Sequence, residues 1–453
     1  MTFSDYRWHP RCSACGMQRN RVLVCGGGLA GLVAAHELAR ARMDVTLVEA
    51  RHRLGGRMWT VRQGFAGGQH GELGGEFIDA GHEHMHALAE RFHLELVPVL
   101  QGGFTHRFTS ASRRIEVSRT RPWEALRESV TTLIQRYTEA DGDVSADAVR
   151  DIARRSLRQW LDERGADADL YAMAKAIRGF FLADAEELSV LQVVEQLADG
   201  EFPSHIQMFR IAGGTDRLIT ALARETGART MLGHMVRRIN RLPDRIVAHL
   251  TDDRGGLHEL EADSAVLALP ASTLRHVEFV PALPHAQRRA VGAVTYGRST
   301  KVAVQTTSPA LRVRRARAFA TDTALGAFWD ASEGQPSHSH SVVHFLAGGS
   351  ASPQLQRRVR EGANGLLGDL CWLGVAGASV SASHSVTWED DPLAGGGYAF
   401  GSPDFDPAWR PLLSRRSDRV VFAGEHTSDD YQGYMEGAVR SGMRAAGEIL
   451  QTR

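Results

Sequence analysis

The sequence predicts an α/β protein in which a nucleotide-binding domain is interleaved with a second domain of mixed α+β structure. Two stretches at opposite ends of the chain carry this prediction: a strand, a glycine-rich turn, a helix and a second strand over 21–49, and a buried strand that leads into a glycine-rich helix over 420–450. Between them, residues 296–305 alternate apolar and polar side chains as a strand does. The fold class therefore rests on both ends of the chain and on one strand between them.

Composition excludes several classes of protein. The chain has 453 residues, 43% of them hydrophobic and 23% charged, which suffices for the cores of two or three domains. A formal net charge of zero argues against nucleic-acid binding and against attachment to an acidic membrane surface. No apolar run approaches the roughly 20 residues that cross a membrane, and the N-terminus lacks the apolar core of a secretory signal. We therefore expect a cytoplasmic protein that binds neither nucleic acid nor membrane.

The first strand ends in a glycine pattern typical of dinucleotide-binding proteins. Gly26, Gly28 and Gly31 follow the apolar stretch 21–25 and open a helix, so a pyrophosphate can approach the backbone and the N–H groups of the helix N-terminus. Glu49 ends the second strand, where a carboxylate can accept hydrogen bonds from both hydroxyls of an adenosine ribose. An acid at this position disfavours the 2′-phosphate of NADP and leaves NAD or FAD.

The residues after Glu49 favour FAD. Arg51 and Arg57 lie on either side of the glycine pair in "RHRLGGR", and an arginine held against closely approaching backbone can pair with a pyrophosphate. This R-x-G-G-R extension resembles the flavin-containing amine oxidase family, which comprises the monoamine, polyamine and L-amino-acid oxidases. The resemblance implies a Rossmann-type FAD-binding domain interleaved with a mixed α+β substrate-binding domain.

Further motifs of that family follow in its order along the chain. Gly74 and Gly75 resemble the second glycine pair, where the backbone lies against the flavin. Val236 stands at the valine that contacts adenine through its backbone. The stretches 210–223 and 262–279 resemble the family's helix entry and its "D-x-V-I-x-A-x-P" strand and turn.

The most specific match is the C-terminal stretch 420–450. A buried strand leads into Gly424 and Glu425, and Met435 opens the last helix. The resemblance implies that Glu425 makes a contact on the ribityl or phosphate side of FAD. It also implies that the N-terminus of the last helix, with Met435, points at the pyrimidine end of the flavin.

Lys301 is one of very few lysines in a chain whose basic residues are almost all arginines. Lys175 and Lys301 are the two lysines among 53 basic residues, and the remaining 51 are arginines. In the family, a lysine on a strand of the substrate domain reaches the flavin N5 through a water, and residues 296–305 resemble that strand with Lys301 in the lysine's place. Arginine is bulkier, cannot be deprotonated, and offers a planar fork in place of a compact donor. We therefore predict that Lys301 is catalytic.

Two tyrosines fall at positions where the family places its substrate slot. Tyr398 follows three glycines, and Tyr434 lies in "GYMEG". The resemblance implies two aromatic rings that face each other before the flavin and present their negative faces to the amine nitrogen. Trp388, in "TWEDDPLAGGGY", is expected to line the same region.

Two departures from the family pattern bear on the cofactor and the substrate. Monoamine oxidases attach flavin through a cysteine at the position of Gly397, and the nearest cysteine here is Cys371, so we predict non-covalent FAD. L-Amino-acid oxidases usually carry an arginine just past the second glycine pair, where this chain has Glu76 and Asp79. These two acids are predicted to favour an amine, a di- or polyamine, or an amino acid with a basic side chain.

The sequence predicts no metal site. The alternating histidines His82, His84 and His86 lie on a predicted helix, where only the first and third share a face. The single pair Cys12 and Cys15 is a weak metal signal without a second pair.

The motifs divide the chain between two domains. A helical insert is expected at about 105–205 and an antiparallel sheet from about 290. The predicted segments are an N-terminal extension over 1–19, an FAD-binding domain over 20–92, 207–285 and 405–453, and a substrate-binding domain over 93–206 and 286–404.

The activity implied by the resemblance is FAD-dependent oxidation of a C–N bond by hydride transfer to flavin N5. The amine becomes an imine, and dioxygen is reduced to hydrogen peroxide. An L-amino-acid oxidase, a biosynthetic amine-type oxidase, an NAD-dependent dehydrogenase and a catalytically idle flavoprotein scaffold stay open as alternatives. The predicted partners are the small-molecule substrate and dioxygen, with a homodimer left open.

Overall fold

The computed structural model describes residues 20–101, 103–198, 206–307, 318–336, 339–373 and 379–452. Its nucleotide-binding part is built on a five-stranded parallel sheet. The strands lie in the spatial order Arg229–Met231, Asp44–Val48, Arg21–Cys25, Ser264–Leu267 and Val420–Phe422. They come from all three segments that the sequence assigns to the FAD-binding domain, although the exact boundaries of those segments stay predictions.

Alternate residues of the central strand face two different layers, as the period of a strand requires. Val22 and Val24 pack in a core with the helices Leu29–Arg40, Asp216–Thr226 and Met435–Leu450. Leu23 and Cys25 pack in a second core on the opposite face. That face is covered by a four-stranded sheet in the order Leu257–Ala262, Ile246–Asp252, His234–Arg241 and Glu278–Val280, and by the helices Ala271–Leu274 and His285–Ala293.

The substrate-binding part contains a seven-stranded sheet in which the strand that carries Lys301 is internal. That strand, Ser299–Thr306, is buried along its whole length and pairs antiparallel with both neighbours. The spatial order is Val380–Thr387, Ser299–Thr306, Ser341–Gly348, Ala327–Asp330, Ala318–Thr321, Thr105–Thr109 and Ile115–Ser118.

The insert is helical only in part, which corrects the sequence-based prediction. Residues Thr105–Thr109 and Ile115–Ser118 form a hairpin that extends the seven-stranded sheet, and helices begin at Arg121. The alternation in "THRFT" and "IEVS" is a strand signal within the stretch that was predicted to be helical. The helices of the insert share one core, and their bounds are Arg121–Glu139, Asp147–Ala153, Leu157–Glu163, Ala168–Ala176, Arg178–Phe181 and Val190–Ala198.

Smaller elements connect the two parts. A three-stranded sheet is formed by Ile78–Asp79, Met208–Ile211 and Leu96–Val99, and two-strand pairs are formed by Thr60–Val61 with Gly71–Glu72 and by Thr295–Tyr296 with Ala399–Phe400. The remaining α-helices are Glu83–Arg91, Ser352–Glu361, Asn364–Gly368 and Arg410–Ser414. Short 3₁₀ helices span Gly349–Ala351, Cys371–Leu373, Trp388–Asp390, Pro407–Trp409 and Glu425–Thr427.

No helix in the described ranges is both long enough and apolar enough to cross a membrane. The predicted N-terminal extension, with Cys12 and Cys15, lies outside the described residues.

Candidate active site

One cavity of about 690 Å³ is lined by residues of both parts of the molecule. The glycine turn and Glu49 line it from the parallel sheet, whereas Lys301 and Trp329 line it from the seven-stranded sheet. Helices of the insert contribute aromatic side chains, among them Phe180 and Phe181. Every residue that the sequence predicts to contact cofactor or substrate lines this cavity, with the exception of Gly31.

The glycine turn has the shape of a cradle for a pyrophosphate. Gly26 has a φ of +105°, which side chains disfavour, and a Cβ on Gly31 would lie 1.9 Å from the carbonyl oxygen of Gly26. A Cβ on Gly28 would meet no atom within 4 Å, so this glycine borders open cavity. The helix Leu29–Arg40 starts at this point, and its free N–H groups suit an anion. These residues fit the diphosphate of FAD.

Glu49 directly follows the second strand, which ends at Val48. Its carboxylate accepts hydrogen bonds from the backbone N–H groups of Gly27 at 2.7 Å and of Arg51 at 2.8 Å. These bonds hold the acid at the edge of the glycine turn. The side chain of Arg51 is engaged elsewhere, because its Nη2 lies 2.8 Å from Asp391 Oδ1.

Glu425 ties together the two segments that carry the predicted tyrosines. Its Oε1 accepts the N–H of Ala399 at 3.3 Å, and its Oε2 accepts the N–H of Gly433 at 2.8 Å. Arg57 Nη2 lies 3.0 Å from Glu425 Oε1. Because Ala399 follows Tyr398 and Gly433 precedes Tyr434, the buried Glu425 fixes the spacing of both rings.

Tyr398 and Tyr434 both line the cavity and stay un-ionised at ordinary pH, since burial raises the pKa of each phenol. The Tyr398 hydroxyl donates a hydrogen bond to the carbonyl oxygen of Phe180, which anchors the ring to the helical insert. Tyr434 packs edge-to-face against His82, with ring centroids 5.3 Å apart. The two rings are therefore held by different parts of the molecule.

Further residues predicted to contact cofactor or substrate line the same cavity. Gly75 packs against Met435, whose Sδ would lie 3.0 Å from a Cβ on that glycine. Met435 is the first residue of the last helix, as predicted. Trp388 is buried and donates a hydrogen bond from its Nε1 to the carbonyl oxygen of Leu73, one residue before the second glycine pair. Val236 lies in the strand His234–Arg241.

Lys301 is held by two acceptors at the second glycine pair. Its Nζ donates to the carbonyl oxygen of Gly74 at 2.8 Å and to Glu76 Oε2 at 2.7 Å. The ammonium group also lies 5.2 Å from the ring centroid of Trp329, within the range of a cation–π contact. The lysine is 5% exposed, so its position is fixed by the protein and not by solvent.

Glu76 is the centre of a buried charged cluster. Besides Lys301, it contacts His344 Nδ1 at 2.9 Å from Oε2, Arg210 Nε at 2.7 Å from Oε1, and Trp329 Nε1 at 3.0 Å from Oε1. Burial pushes the pKa of Glu76 up, but His344, Lys301 and Arg210 outweigh that effect and hold the pKa well below its usual value. This placement differs from the sequence-based interpretation, because Glu76 is occupied by protein donors and has no free oxygen for a substrate cation.

The charges of the cluster do not cancel. His344 Nε2 accepts the backbone N–H of Glu72 at 3.2 Å, so its proton lies on Nδ1, toward Glu76. Burial lowers the pKa of His344 and keeps the ring neutral. Lys301 and Arg210 then face the single negative charge of Glu76, which leaves one excess positive charge beside the cavity.

Asp79 is the other acid that the sequence places at the substrate. It lines the cavity next to Tyr434, and burial raises its pKa to about 6. His82 lies beside it, with Nε2 3.6 Å from Asp79 Oδ2, and burial lowers the pKa of this histidine to about 4. Asp79 is therefore a carboxylate that ionises close to physiological pH with a neutral histidine beside it.

The alternating histidines hold local structure. His82 Nδ1 accepts the backbone N–H of Asp79 at 3.0 Å, and His86 Nε2 lies 3.1 Å from the carbonyl oxygen of the same residue. His84 Nδ1 lies 2.8 Å from Glu436 Oε1. These contacts explain the motif without a metal ion.

Sequence reasoning missed Arg210, His344 and Trp329. Each is a polar or bulky side chain in an otherwise apolar strand, namely "MFRI", "SVVHFLAG" and "AFWD". That interruption of the pattern is a signal for a buried polar group. Their partner could not be identified, because it lies 134 to 268 residues away along the chain.

Comparisons with known proteins concern the family and the fold. A protein of Mycobacterium tuberculosis assigned as a flavin-containing monoamine oxidase is 26% identical over 94% of this chain and 96% of its own length. An L-amino-acid oxidase of Siganus canaliculatus is 27% identical over 95% of this chain and 85% of its own. The structure of cyclohexylamine oxidase from Brevibacterium oxydans shares the fold with a TM-score of 0.82 at 23% identity, and the match covers 96% of this chain and 99% of that one.

The family model of the flavin containing amine oxidoreductases matches residues 29–450. That range includes Gly31, the cluster around Lys301 and both tyrosines, and it starts just after Gly26 and Gly28 of the glycine turn. An NAD-dependent dehydrogenase, which shares the first motif only, is thereby set aside. The chain belongs to the flavin containing amine oxidoreductase family and is an FAD-dependent oxidoreductase.

Proposed function

We propose that the protein binds FAD non-covalently and oxidises an amine to an imine, with dioxygen reduced to hydrogen peroxide. The observation that carries the proposal is the convergence of Lys301, Tyr398 and Tyr434 on the cavity that begins at the glycine turn. When bound, the flavin accepts a hydride equivalent from the carbon next to the amine nitrogen and passes the electrons on to dioxygen. The protein contributes orientation, exclusion of water and electrostatics.

The residues of the chain divide these tasks. The glycine turn and Glu49 would hold the dinucleotide, and Glu425 and Arg57 fix the loops beside the flavin. Tyr398 and Tyr434 offer un-ionised aromatic faces to the nitrogen of a neutral amine. Lys301 presents an ammonium group at Gly74, where the resemblance places a water near the reacting atoms.

An amine fits the cavity better than an amino acid. A substrate carboxylate would need a cation that no protein acid already holds. Among the described lining residues, Arg51 pairs with Asp391 and Arg57 with Glu425. Lys301 pairs with Glu76, and Arg237 lies in a segment assigned to the nucleotide. Asp79 at the tyrosine end would repel a carboxylate. An amino acid with a basic side chain is the second candidate, because Asp79 could receive that side chain.

A panel of amines and L-amino acids, assayed for peroxide formation, tests the proposal. We expect turnover with amines and the appearance of one carbonyl product per peroxide. Turnover confined to L-amino acids would replace the proposal by the second candidate. A protein that binds FAD but turns over no member of the panel would support the idle scaffold.

The flavin linkage gives an independent prediction. Gly397 occupies the attachment position, and Cys25, which is wholly buried, has a pKa raised by burial to about 12, so its thiol is inert. We expect acid denaturation to release all of the FAD into the supernatant. Yellow colour that stays with the precipitated polypeptide would contradict non-covalent binding.

Asp79 is predicted to set the preference for a second positive charge. A hydrogen bond to a charged group contributes roughly 1.5–3 kcal/mol, so Asp79→Asn should lower kcat/KM for a diamine about tenfold and leave a monoamine of equal length nearly unchanged. In the parent protein, the preference should rise as the pH passes about 6, since the carboxyl group ionises there.

The matched control is Asp429→Asn, which alters an exposed acid. It should leave both substrates unaffected. If Asp79→Asn changes kcat/KM equally for the two amines, Asp79 does not recognise the second positive charge of the substrate. The same conclusion follows if kcat/KM of the parent at pH 8 is no higher for the diamine than for the monoamine.

A further inference from the structure

A group of three side chains that can bind a metal lies on the four-stranded sheet, next to the adenosine end of the cavity. His234, Asp252 and His258 place one nitrogen or oxygen atom each within 4.8 Å of one another. His258 Nε2 lies 2.8 Å from Asp252 Oδ2, and the rings of His234 and His258 are 4.9 Å apart. All three are partly exposed, so an ion can reach them.

The strand register brings these residues to one face of the sheet. His234 pairs directly with Asp252 across the antiparallel strands His234–Arg241 and Ile246–Asp252. On the next strand His258 pairs with Leu250, two residues from Asp252 and therefore on the same face as Asp252. The three residues are separated by 18 and 6 positions along the chain, and only the sheet unites them.

Backbone groups hold two of the ligands in the orientation that a metal requires. Asp252 Oδ1 accepts the N–H of Gly256 at 2.7 Å and of Arg254 at 2.9 Å, which turns Oδ2 toward the histidines. His234 Nδ1 donates a hydrogen bond to the carbonyl oxygen of Leu232 at 2.7 Å. The lone pair of His234 Nε2 is therefore available to bind a metal. A second hydrogen bond of this kind fixes the tautomer and raises the basicity of a metal-bound imidazole.

We propose that His234, Asp252 and His258 form a binding site for a divalent transition metal of the zinc class. Two imidazoles and one carboxylate suit such ions and are a poor match for calcium or magnesium, which prefer oxygen ligands. Tetrahedral zinc bonds of about 2.0–2.2 Å place the ligand atoms roughly 3.4 Å apart. The His258–Asp252 pair, now 2.8 Å apart, must therefore open, the wider separations within the 4.8 Å group must close, and water completes the coordination. The metal displaces the proton shared by His258 and Asp252.

The site adjoins the cofactor cavity without forming part of the reaction. His234 lines that cavity, and its backbone N–H donates to the carbonyl oxygen of Glu49 at 3.0 Å. A metal here joins the start of the adenine-contacting strand to the two strands beside it. We assign it a structural role, independent of the oxidase activity proposed above.

Zinc binding to the untagged, FAD-loaded full-length protein tests the proposal by calorimetry. His234→Gln and His258→Gln should each lose one equivalent of bound Zn²⁺, and the rise of the thermal midpoint that Zn²⁺ causes in the parent should disappear. His249→Gln is the matched control, because His249 lies on the same sheet but pairs with Glu259 at 3.0 Å. It should bind as the parent does.

A second control replaces both Cys12 and Cys15 with serine. This double variant should still bind the equivalent of Zn²⁺ that we assign to the three residues of the sheet. Three results would overturn the proposal: no zinc uptake by the parent, the same stoichiometry in both histidine variants as in the parent, or loss of the equivalent with the two cysteines. In each of these cases His258 and Asp252 form only a hydrogen-bonded pair on the surface.

Discussion

Replacing Lys301 with methionine is expected to slow turnover by about 10²-fold, the lower range for one positioned proton-transfer or hydrogen-bonding group. FAD should stay bound, because the groups that would hold the nucleotide lie in the other part of the molecule. Methionine fills similar space, and Glu76 keeps Arg210, His344 and Trp329 as partners. The loss should therefore be chemical and not structural.

The two half-reactions respond differently to the charge that is removed. With Lys301 present the buried cluster carries one excess positive charge, and Lys301→Met makes it neutral. Reduction of dioxygen develops negative charge, which a preorganised cation stabilises strongly in a site of low dielectric. Stopped-flow measurements should therefore show a larger effect on reoxidation of the flavin than on its anaerobic reduction by the amine.

Lys175 provides the control, as the other lysine of the chain. It is exposed on the helix Ala168–Ala176, so Lys175→Met should leave both half-reactions unchanged. A Lys301→Met protein with near-parental rates in both halves would show that the survival of this lysine is accidental. An effect confined to flavin reduction would instead indicate that Lys301 acts in the oxidation of the amine.

Local signals made the fold predictable from sequence. The strand, glycine turn and helix at the start of the chain are determined by residues a few positions apart, and the structure has them at Arg21–Cys25 and Leu29–Arg40. The strand that carries Lys301 was predictable because its apolar and polar residues alternate. The lysine itself stood out because nearly all other basic residues of the chain are arginines. The hairpin over 105–118 was missed because two short strands were read as part of one long helical stretch.

Long-range pairing was not predictable in the same way. Glu76 was predicted to favour a positively charged substrate because the cations that contact it are far away in the sequence. Its partners come from strands that start at Met208, Ser299, Ala327 and Ser341, and only the assembled sheets bring them together. The cytoplasmic location and the oligomeric state stay predictions.

Among the substitutions proposed here, Glu76→Gln should cause the largest loss in the free energy of unfolding. It removes the carboxylate that contacts both Lys301 and Arg210, and breaking a buried ion pair in this way typically costs 3–5 kcal/mol. Because the folded-state pKa of Glu76 is depressed, its contribution is fully present at neutral pH and is lost only as the pH falls through that low pKa. We therefore expect a clearly lower thermal midpoint for the FAD-loaded variant at pH 6.

Glu72→Gln is the matched control, because Glu72 is equally buried but has no cation in contact. Burial raises its pKa to about 7, so at pH 6 the folded protein holds it mostly protonated, and a glutamine amide resembles that neutral form. Glu72 accepts the Thr215 N–H and hydroxyl on different oxygens, both at 2.9 Å. A glutamine can accept the N–H with its amide oxygen and donate to the hydroxyl from its amide nitrogen. The control should lose less than about 1 kcal/mol, the scale of one ordinary hydrogen bond. Equal losses in both variants would mean that volume and polarity, and not the balance of charge around Lys301, determine the effect at Glu76.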